Sequence, residues 1–201
     1  MILPVSFYSR STLKVLEDLI GKVLVRKSEE GLTSGVIVEA EAYTGEDDPA
    51  SYAFSGRTKR SEIMYGPPGR AFVHFTYGMH HMLNLVTERE EFPAAILIRA
   101  LEPREGISLM KKRRQTEELI NLCSGPAKIC QAFCIDRSHN GVSLFSLRSL
   151  LFIKEGERRE EEERREKRKE ELIWTSRIGI REGKERLWRA YLKGSPFISV
   201  K

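Results

Sequence analysis

The chain has 201 residues, about the length of one domain or two small ones. It is 40% hydrophobic and 31% charged, a globular balance that excludes fibrous chains and wholesale disorder. Its 34 basic and 29 acidic residues give a net charge of +5, and no apolar run approaches the ~18–20 residues of a membrane helix. Residues 1–10 lack the pattern of a signal peptide. Residues 154–171 hold eight basic and nine acidic side chains with no apolar stripe, so a charged surface insertion is expected there. Without it the chain carries +6, a basic excess compatible with nucleic acid.

In chain order, Ser11 or Thr12 is expected to cap a helix on which Leu13, Leu16, Leu19 and Ile20 fall at helical spacing, with Gly21 as its stop. Residues 22–26 and 36–43 read as strands joined by a turn at 29–31, a hairpin. Residues 47–68 are polar and turn-rich, a long loop. Strands are expected at 71–77, 82–86 and 94–101, with Gly78 breaking the first from the second. A helix is expected from Pro103 onward, carrying Lys111, Lys112, Arg113 and Arg114. A second begins at Ser124-Gly125-Pro126, and closing strands fall at 173–180 and 197–200. Strands that follow strands imply a largely antiparallel sheet with helices around it, in one α+β domain.

Cys123, Cys130 and Cys134, with no secretory signal, read as reduced thiols. Their spacings of seven and four let them share a helix face as small core residues. No fourth ligand or C-x-x-C pair makes them a zinc site, and His74, His80 and His81 lack ligand spacing too, so no metal is expected. Phosphate-cradling, dinucleotide and serine-hydrolase motifs are absent.

Charges stand inside two apolar strands. In VIVEAEAY, alternation puts Val36, Val38, Ala40 and Ala42 on one face and Ile37, Glu39, Glu41 and Tyr43 on the other. In AAILIRAL, Arg99 is embedded among aliphatics. Buried charges require partners, so Arg99 is expected to face Glu41 or Glu39. A structural ion pair explains this as well as catalysis does. Tyr43 beside Glu41, followed by a polar loop, describes a pocket lip where a carboxylate can activate water. In RAFVHFTYGMHHMLNL a turn at Tyr77-Gly78-Met79-His80 is expected to expose large side chains, which read either as an accident of the surface or, on a basic protein, as a wedge between bases.

These pieces resemble the alkyladenine (3-methyladenine) DNA glycosylase family, also called methylpurine glycosylases. The resemblance rests on VEAEAYTGEDDPAS at 38–51, MYGPPGRAFVHFTYGMHHMLN at 64–84, ILIRALEP at 96–103, LCSGPAKICQAF at 122–133, RIGI at 177–180 and KGSPFISV at 193–200. It spans nearly the whole chain. It implies a mixed α/β domain around a curved antiparallel sheet with a protruding hairpin. It implies that Glu41 is a general base and that Arg99 helps hold the carboxylate and its water. The backbone carbonyl of Ile178 touches the same water. Tyr43 forms a wall of the pocket for a flipped base, and Asn84 crowds out the amine of guanine. Tyr77, with Met79 and His80 beside it, fills the gap in the duplex. Where the family usually has histidine this chain has Tyr52, and where it usually has tyrosine it has His74. Both rings remain in the base pocket, and the exchange bears on substrate range. Lys128, at a helix start, is a candidate phosphate contact, and Arg57, Lys59 and Arg60 could extend it.

The implied activity is hydrolysis of the N-glycosidic bond of alkylated or deaminated purines in double-stranded DNA, without strand cutting and without a metal or organic cofactor. The expected setting is a monomer inside the cell on DNA: the nucleoid or cytoplasm of a bacterium, the nucleus of a eukaryote. The exchange leaves a second reading open, a lesion-binding or DNA-binding protein of the same fold without catalysis. A third, a basic structural protein that binds RNA, leaves Glu41 and Arg99 unexplained.

Overall fold

The computed structural model describes residues 1–76, 78–156 and 171–200. Most of the charged run at 154–171, and Tyr77 at the hairpin tip, therefore lie outside the described residues.

The architecture is α+β around one curved antiparallel sheet. Its strands are β1 (Val23–Ser28), β2 (Gly31–Thr44), β3 (Ala71–Thr76), β4 (His80–Val86), β5 (Ala94–Glu105), β6 (Leu151–Lys154), β7 (Leu172–Thr175) and β8 (Arg189–Leu192). The main order is β3-β4-β5-β2-β1-β6, and β7 joins through β8, which pairs with β2. The long β2 organises this arrangement. One edge runs along β5 for its full length, and the other is shared by β1 at residues 31–36 and β8 at residues 39–41.

The helices are α1 (Val5–Tyr8), α2 (Thr12–Leu19), α3 (Ile107–Arg114) and α4 (Pro126–Phe133). Leu16, Leu19, Met110, Ile129 and Phe133 join Ile37, Ala40, Ile96 and Ile98 of the sheet in the main core. Each fully buried aliphatic there contributes roughly 1.5–3 kcal/mol through removal from water. The expected α2 forms, but Ser11 makes no side-chain cap. Glu88 substitutes from another loop, accepting the Thr12 amide at 2.5 Å and the Thr12 hydroxyl at 2.9 Å. Pro126 at the first turn opens α4 as its sequence indicates.

Several expectations are corrected. Pro103 starts no helix: β5 continues to Glu105, and α3 begins only after Gly106 turns the chain at φ +73°. The proline is tolerated because it sits opposite Gly35, where the register of β2 and β5 slips. Residues 197–200 form no strand, and the strand at 173–180 is confined to Leu172–Thr175. β6 and β8 close the sheet instead. The cysteines do not share a helix face: Cys123 precedes α4, Cys130 is buried in it, and Cys134 ends it exposed in the left-handed region. All three are free thiols.

The most consequential difference lies in β2. Uniform alternation would place Ile37 with Glu39 and Glu41. Instead Ile37 lies in the core together with Ala40 and Ala42, whereas Val36 packs on the opposite side near Val23 and Val25. The cause is a paired irregularity. Ile37 faces Leu101, Glu39 faces Ala100 and Ala40 faces Ile98, so Val38 on β2 and Arg99 on β5 are both passed over. Each extra residue reverses the facing of its strand, and because both strands reverse together the core stays continuous. Glu39, Glu41 and Arg99 thereby meet at one level of the sheet.

Candidate active site

Glu41 and Glu39 are fully buried and Arg99 nearly so. The two alternative partners for Arg99 prove to be simultaneous. Its Nη1 donates to Glu41 Oε2 at 3.2 Å and its Nε to Glu39 Oε1 at 3.1 Å. Glu41 Oε2 also accepts from the Tyr43 hydroxyl at 2.8 Å, and Oε1 accepts from the backbone N–H of Ile178 at 2.7 Å. Burial and then the adjacent Glu41 charge push the Tyr43 phenol well above its usual value, so it stays protonated and donates. Glu41 thus receives three hydrogen bonds, while a carboxylate offers about four lone-pair sites. One acceptor position remains for a further donor such as water.

The loop bearing Ile178 is clamped beside this group. The Arg177 guanidinium donates to Asp48 Oδ2 at 2.5 Å, to Asp48 Oδ1 at 2.7 Å and to the Ala42 carbonyl at 2.9 Å. Both side chains are completely buried. The cation also lies 4.8 Å from the Tyr43 ring centroid and 5.2 Å from that of Trp188. On the far side, Glu39 accepts from Arg189 Nε at 2.8 Å and from the Ser199 hydroxyl at 2.7 Å. Sequence reasoning passed over Asp48, Arg189 and Ser199. For Arg189 a signal existed, because an arginine inside the apolar run W-R-A-Y-L poses the same question as Arg99. Asp48 and Ser199 carried none.

Above Glu41 lies a pocket of about 320 Å³, lined by Tyr43, Tyr52, Phe72, His74, Asn84, Leu97, Arg99 and Ile178 among others. That is the small end of ligand-site volumes, ~300–1,000 Å³, and suits a single flat heterocycle. Phe72, His74 and Thr76 point into it from one face of β3, as alternation requires, while Ala71 and Val73 enter the core. The Tyr52 and His74 rings meet edge-on with centroids 4.9 Å apart. Arg60 covers Tyr52, with its guanidinium 3.9 Å from the ring centroid and 2.6 Å from the hydroxyl.

The polar edge of the pocket is fixed by one amide. Asn84 Nδ2 lies 3.1 Å from the Phe72 carbonyl, which can only accept, so the nitrogen must face it. The same Nδ2 lies 3.1 Å from His74 Nδ1. That ring nitrogen must therefore accept, leaving the imidazole neutral with its proton on Nε2. Burial, reinforced by the Arg60 charge, lowers the His74 pKa to about 4. With Nδ2 so engaged, Oδ1 is the group Asn84 has left for a pocket occupant.

The β3–β4 pair is a hairpin, in register from Ala71 opposite Leu85 to Thr76 opposite His80. Met79 at its tip is 68% exposed, and His80 is exposed beside it. Lys128, on the first turn of α4, donates to the Ser124 hydroxyl at 3.0 Å. The basic cluster on α3 is largely engaged within the protein: Lys111 pairs with Glu117, Lys112 and Arg113 with Glu30, and Arg114 with Gln131. Among the described residues no group of histidine, cysteine and carboxylate side chains could hold a metal ion, and no helix is long and apolar enough to cross a membrane.

The sequence model of one family, methylpurine-DNA glycosylase, matches residues 6–196. A protein of Carboxydothermus hydrogenoformans named "Putative 3-methyladenine DNA glycosylase" is 44% identical over 201 residues, covering all of both chains. Proteins of the same name from Prosthecochloris aestuarii and Methanoculleus marisnigri are 42% and 41% identical. These alignments cover 96% of this chain and 88% of the first relative, and 99% of both chains for the second. The chain belongs to the methylpurine-DNA glycosylase family.

Proposed function

We propose that this chain is a monofunctional DNA glycosylase, one catalytic domain that removes alkylated or deaminated purines from double-stranded DNA by hydrolysing the N-glycosidic bond. The observation that carries the reading is Glu41: a fully buried carboxylate whose three donors, Tyr43, Arg99 and Ile178, all line an aromatic pocket of the right size for one base.

The scissile bond is hidden in a duplex, so the nucleotide must first be extruded; unstacking costs a few kcal/mol, and less at damaged or mispaired positions. Tyr77 is assigned to fill the gap, with Met79 and His80 of the exposed hairpin tip beside it. The flipped base enters between Tyr43, Tyr52 and His74, where an alkylated, cationic purine gains ~0.5–2 kcal/mol from aromatic faces. Asn84 meets the polar edge of the base and limits what fits there. Glu41 takes a proton from water as the water attacks C1′, and its charge stabilises the oxocarbenium-like transition state. Arg99 pairs with Glu41 and holds it in aim. Ile178 anchors the other oxygen of Glu41 through its N–H, and its carbonyl is the further acceptor assigned to the water. Among the described residues lining the pocket there is no lysine to form a Schiff base, and the products are the free base and an abasic site. Lys128 is assigned to a backbone phosphate. The protein acts as a monomer on DNA within the cell.

The test is single-turnover excision on labelled duplexes carrying hypoxanthine, 1,N6-ethenoadenine or methylated purines, with alkali added afterwards to cut abasic sites. Wild-type protein is expected to give alkali-dependent cutting. Glu41→Gln is expected to lower the rate constant by about 10²–10⁴, the usual contribution of a general base, while lesion DNA still binds. If wild-type protein binds lesion duplexes tightly and releases no base, the catalytic reading fails and a binding protein takes its place.

A further inference from the structure

The layer beneath the pocket holds two carboxylates and two guanidiniums, and the proposed reaction uses one of each. Glu39 is buried as completely as Glu41, but where Glu41 bonds three residues of the pocket wall, Tyr43, Arg99 and Ile178, Glu39 shares Arg99 and otherwise bonds Arg189 and Ser199, which lie outside that wall. It is heavily liganded. Oε1 accepts from Arg99 Nε at 3.1 Å, Arg189 Nε at 2.8 Å and the Ser199 hydroxyl at 2.7 Å, and Oε2 accepts the Ser199 amide at 2.5 Å. Arg189 Nη2 donates to the Val200 carbonyl at 2.7 Å, so segment 195–200 is tied down by both members of the pair. A purely structural carboxylate needs no share of the catalytic arginine. Here Glu39 and Glu41 divide it, one taking Nε and the other Nη1.

We propose that Glu39 and Arg189, latched by Ser199, are positioning residues that set the charge available on Glu41 by controlling how Arg99 is shared. This rests on the glycosylase reading. The groups facing Glu41 are few. Tyr43 donates from its own strand, Arg99 faces it from β5, and Ile178 supplies an N–H from the loop. Arg189 stands opposite it on β8, and the Arg177–Asp48 pair packs behind Tyr43. Glu39 is faced by Arg99, Arg189 and Ser199, with Tyr191 opposite it on β8.

The four-charge layer of Glu39, Glu41, Arg99 and Arg189 is neutral, and every single-charge removal unbalances it. Without the Arg189 charge the layer is net negative. Glu39 loses a donor and draws Arg99 away from Glu41, so Glu41 takes up a proton more readily. Without the Glu39 charge the layer is net positive and Arg99 turns wholly to Glu41, which then holds its charge to lower pH but abstracts a proton less well. The two changes act in opposite senses, and removing both charges cancels them.

The experiment is the pH–rate profile of single-turnover excision for wild type, E39Q, R189Q, E39Q/R189Q, R189K, S199A and S199T, with lesion-duplex affinity and a thermal melt for each. The acid limb is expected to move about one pH unit up in R189Q and about one down in E39Q, the usual scale for a charge within ~4–6 Å. E39Q is also expected to have a plateau rate about tenfold lower. The double variant and R189K should return the limb to near its wild-type place. S199A, which keeps every charge but loosens Glu39, should raise the limb by less, with S199T restoring it. DNA affinity should stay within about twofold throughout. Limbs that coincide, or that move in the same direction in E39Q and R189Q, overturn the inference while leaving the glycosylase reading standing. Should R189Q fail to fold, opposite movement in E39Q and S199A decides. Wild-type protein that releases no base overturns the glycosylase reading itself.

Discussion

Asp48→Asn tests whether the loop over Glu41 is held by charge. The side chains of Asp48 and Arg177 are both 0% exposed, and each Asp48 oxygen accepts from one guanidinium nitrogen, at 2.5 and 2.7 Å. The substitution is nearly isosteric. It removes the negative charge and turns an amide donor toward a guanidinium that can only donate. Two unit charges ~4 Å apart at an effective dielectric of ~20 attract by about 4 kcal/mol. Breaking one side of a buried pair costs about 3–5 kcal/mol, because the survivor is stranded without water. The hydrogen bond from Arg177 to the Ala42 carbonyl survives, which favours the lower half of that range. A domain of this size loses ~2–4 °C of Tm per kcal/mol, so the expected fall is about 10 °C by calorimetry or circular dichroism. Excision should slow about tenfold even well below the new Tm, because Ile178 follows Arg177 and carries the N–H that fixes Glu41 Oε1. The apolar pair Asp48→Leu with Arg177→Met should regain most of the stability but not the rate. A Tm within 2–3 °C of wild type, or a full rate in the double variant, would refute the clamp.

Two more outcomes follow from the same structure. In the fold His74 has a pKa lowered to about 4 by burial and then by Arg60, whereas the unfolded residue titrates near 6.5. Below ~6.5 the unfolded chain therefore binds a proton that the folded chain refuses. The contribution of His74 is fully present above that pH and is lost as pH falls toward 4, by about 3 kcal/mol in total. Urea melts of wild type and His74→Phe should show the variant less sensitive to acid by that margin, and equal slopes would contradict it. Gly106→Ala should cost at least about 2 kcal/mol, because the position has φ +73° and an added Cβ would stand 2.2 Å from the Leu32 carbonyl oxygen. Gly141→Ala, at φ +84° but with nothing within 4 Å, isolates the backbone share and should cost about 1 kcal/mol; similar losses at both positions would show the close approach to be harmless.

The legible part of the site was the part that violated a pattern. Glu39, Glu41 and Arg99 interrupt aliphatic strands, and the cost of unpaired buried charge alone requires Arg99 to meet Glu41 or Glu39; in the fold it meets both. The Phe72, His74 and Thr76 face followed from a period of two, as did the β1–β2 hairpin. What escaped had no local signature. Asp48 sits in an acidic, turn-rich stretch that reads as solvated loop, and only its distant partner Arg177 shows that it is buried. Ser199 lies in an apolar stretch that reads as a strand, yet its amide donates to a carboxylate instead of a ladder partner. Counting alternation also misplaced Ile37, because the count assumes one residue per step on both strands and β2 carries an extra residue at Val38.

That extra residue gives the sheet something like a reading frame. The half of β2 up to Ile37 is written in one phase and the half from Glu39 onward in the other, and β5 changes phase at Arg99 to match. Loss of Val38 alone would remove the change of phase without turning a later letter: by plain alternation from Ile37, Glu39 and Glu41 would still face away from the core and Ala40 and Ala42 toward it, while the extra residue at Arg99 would stand alone on β5. One residue gained or lost between Glu39 and Glu41, by contrast, would set the two carboxylates on opposite faces of the sheet. The meeting of Glu39 and Glu41 around one arginine is therefore tied to the length of chain between them as firmly as to the identity of the two side chains.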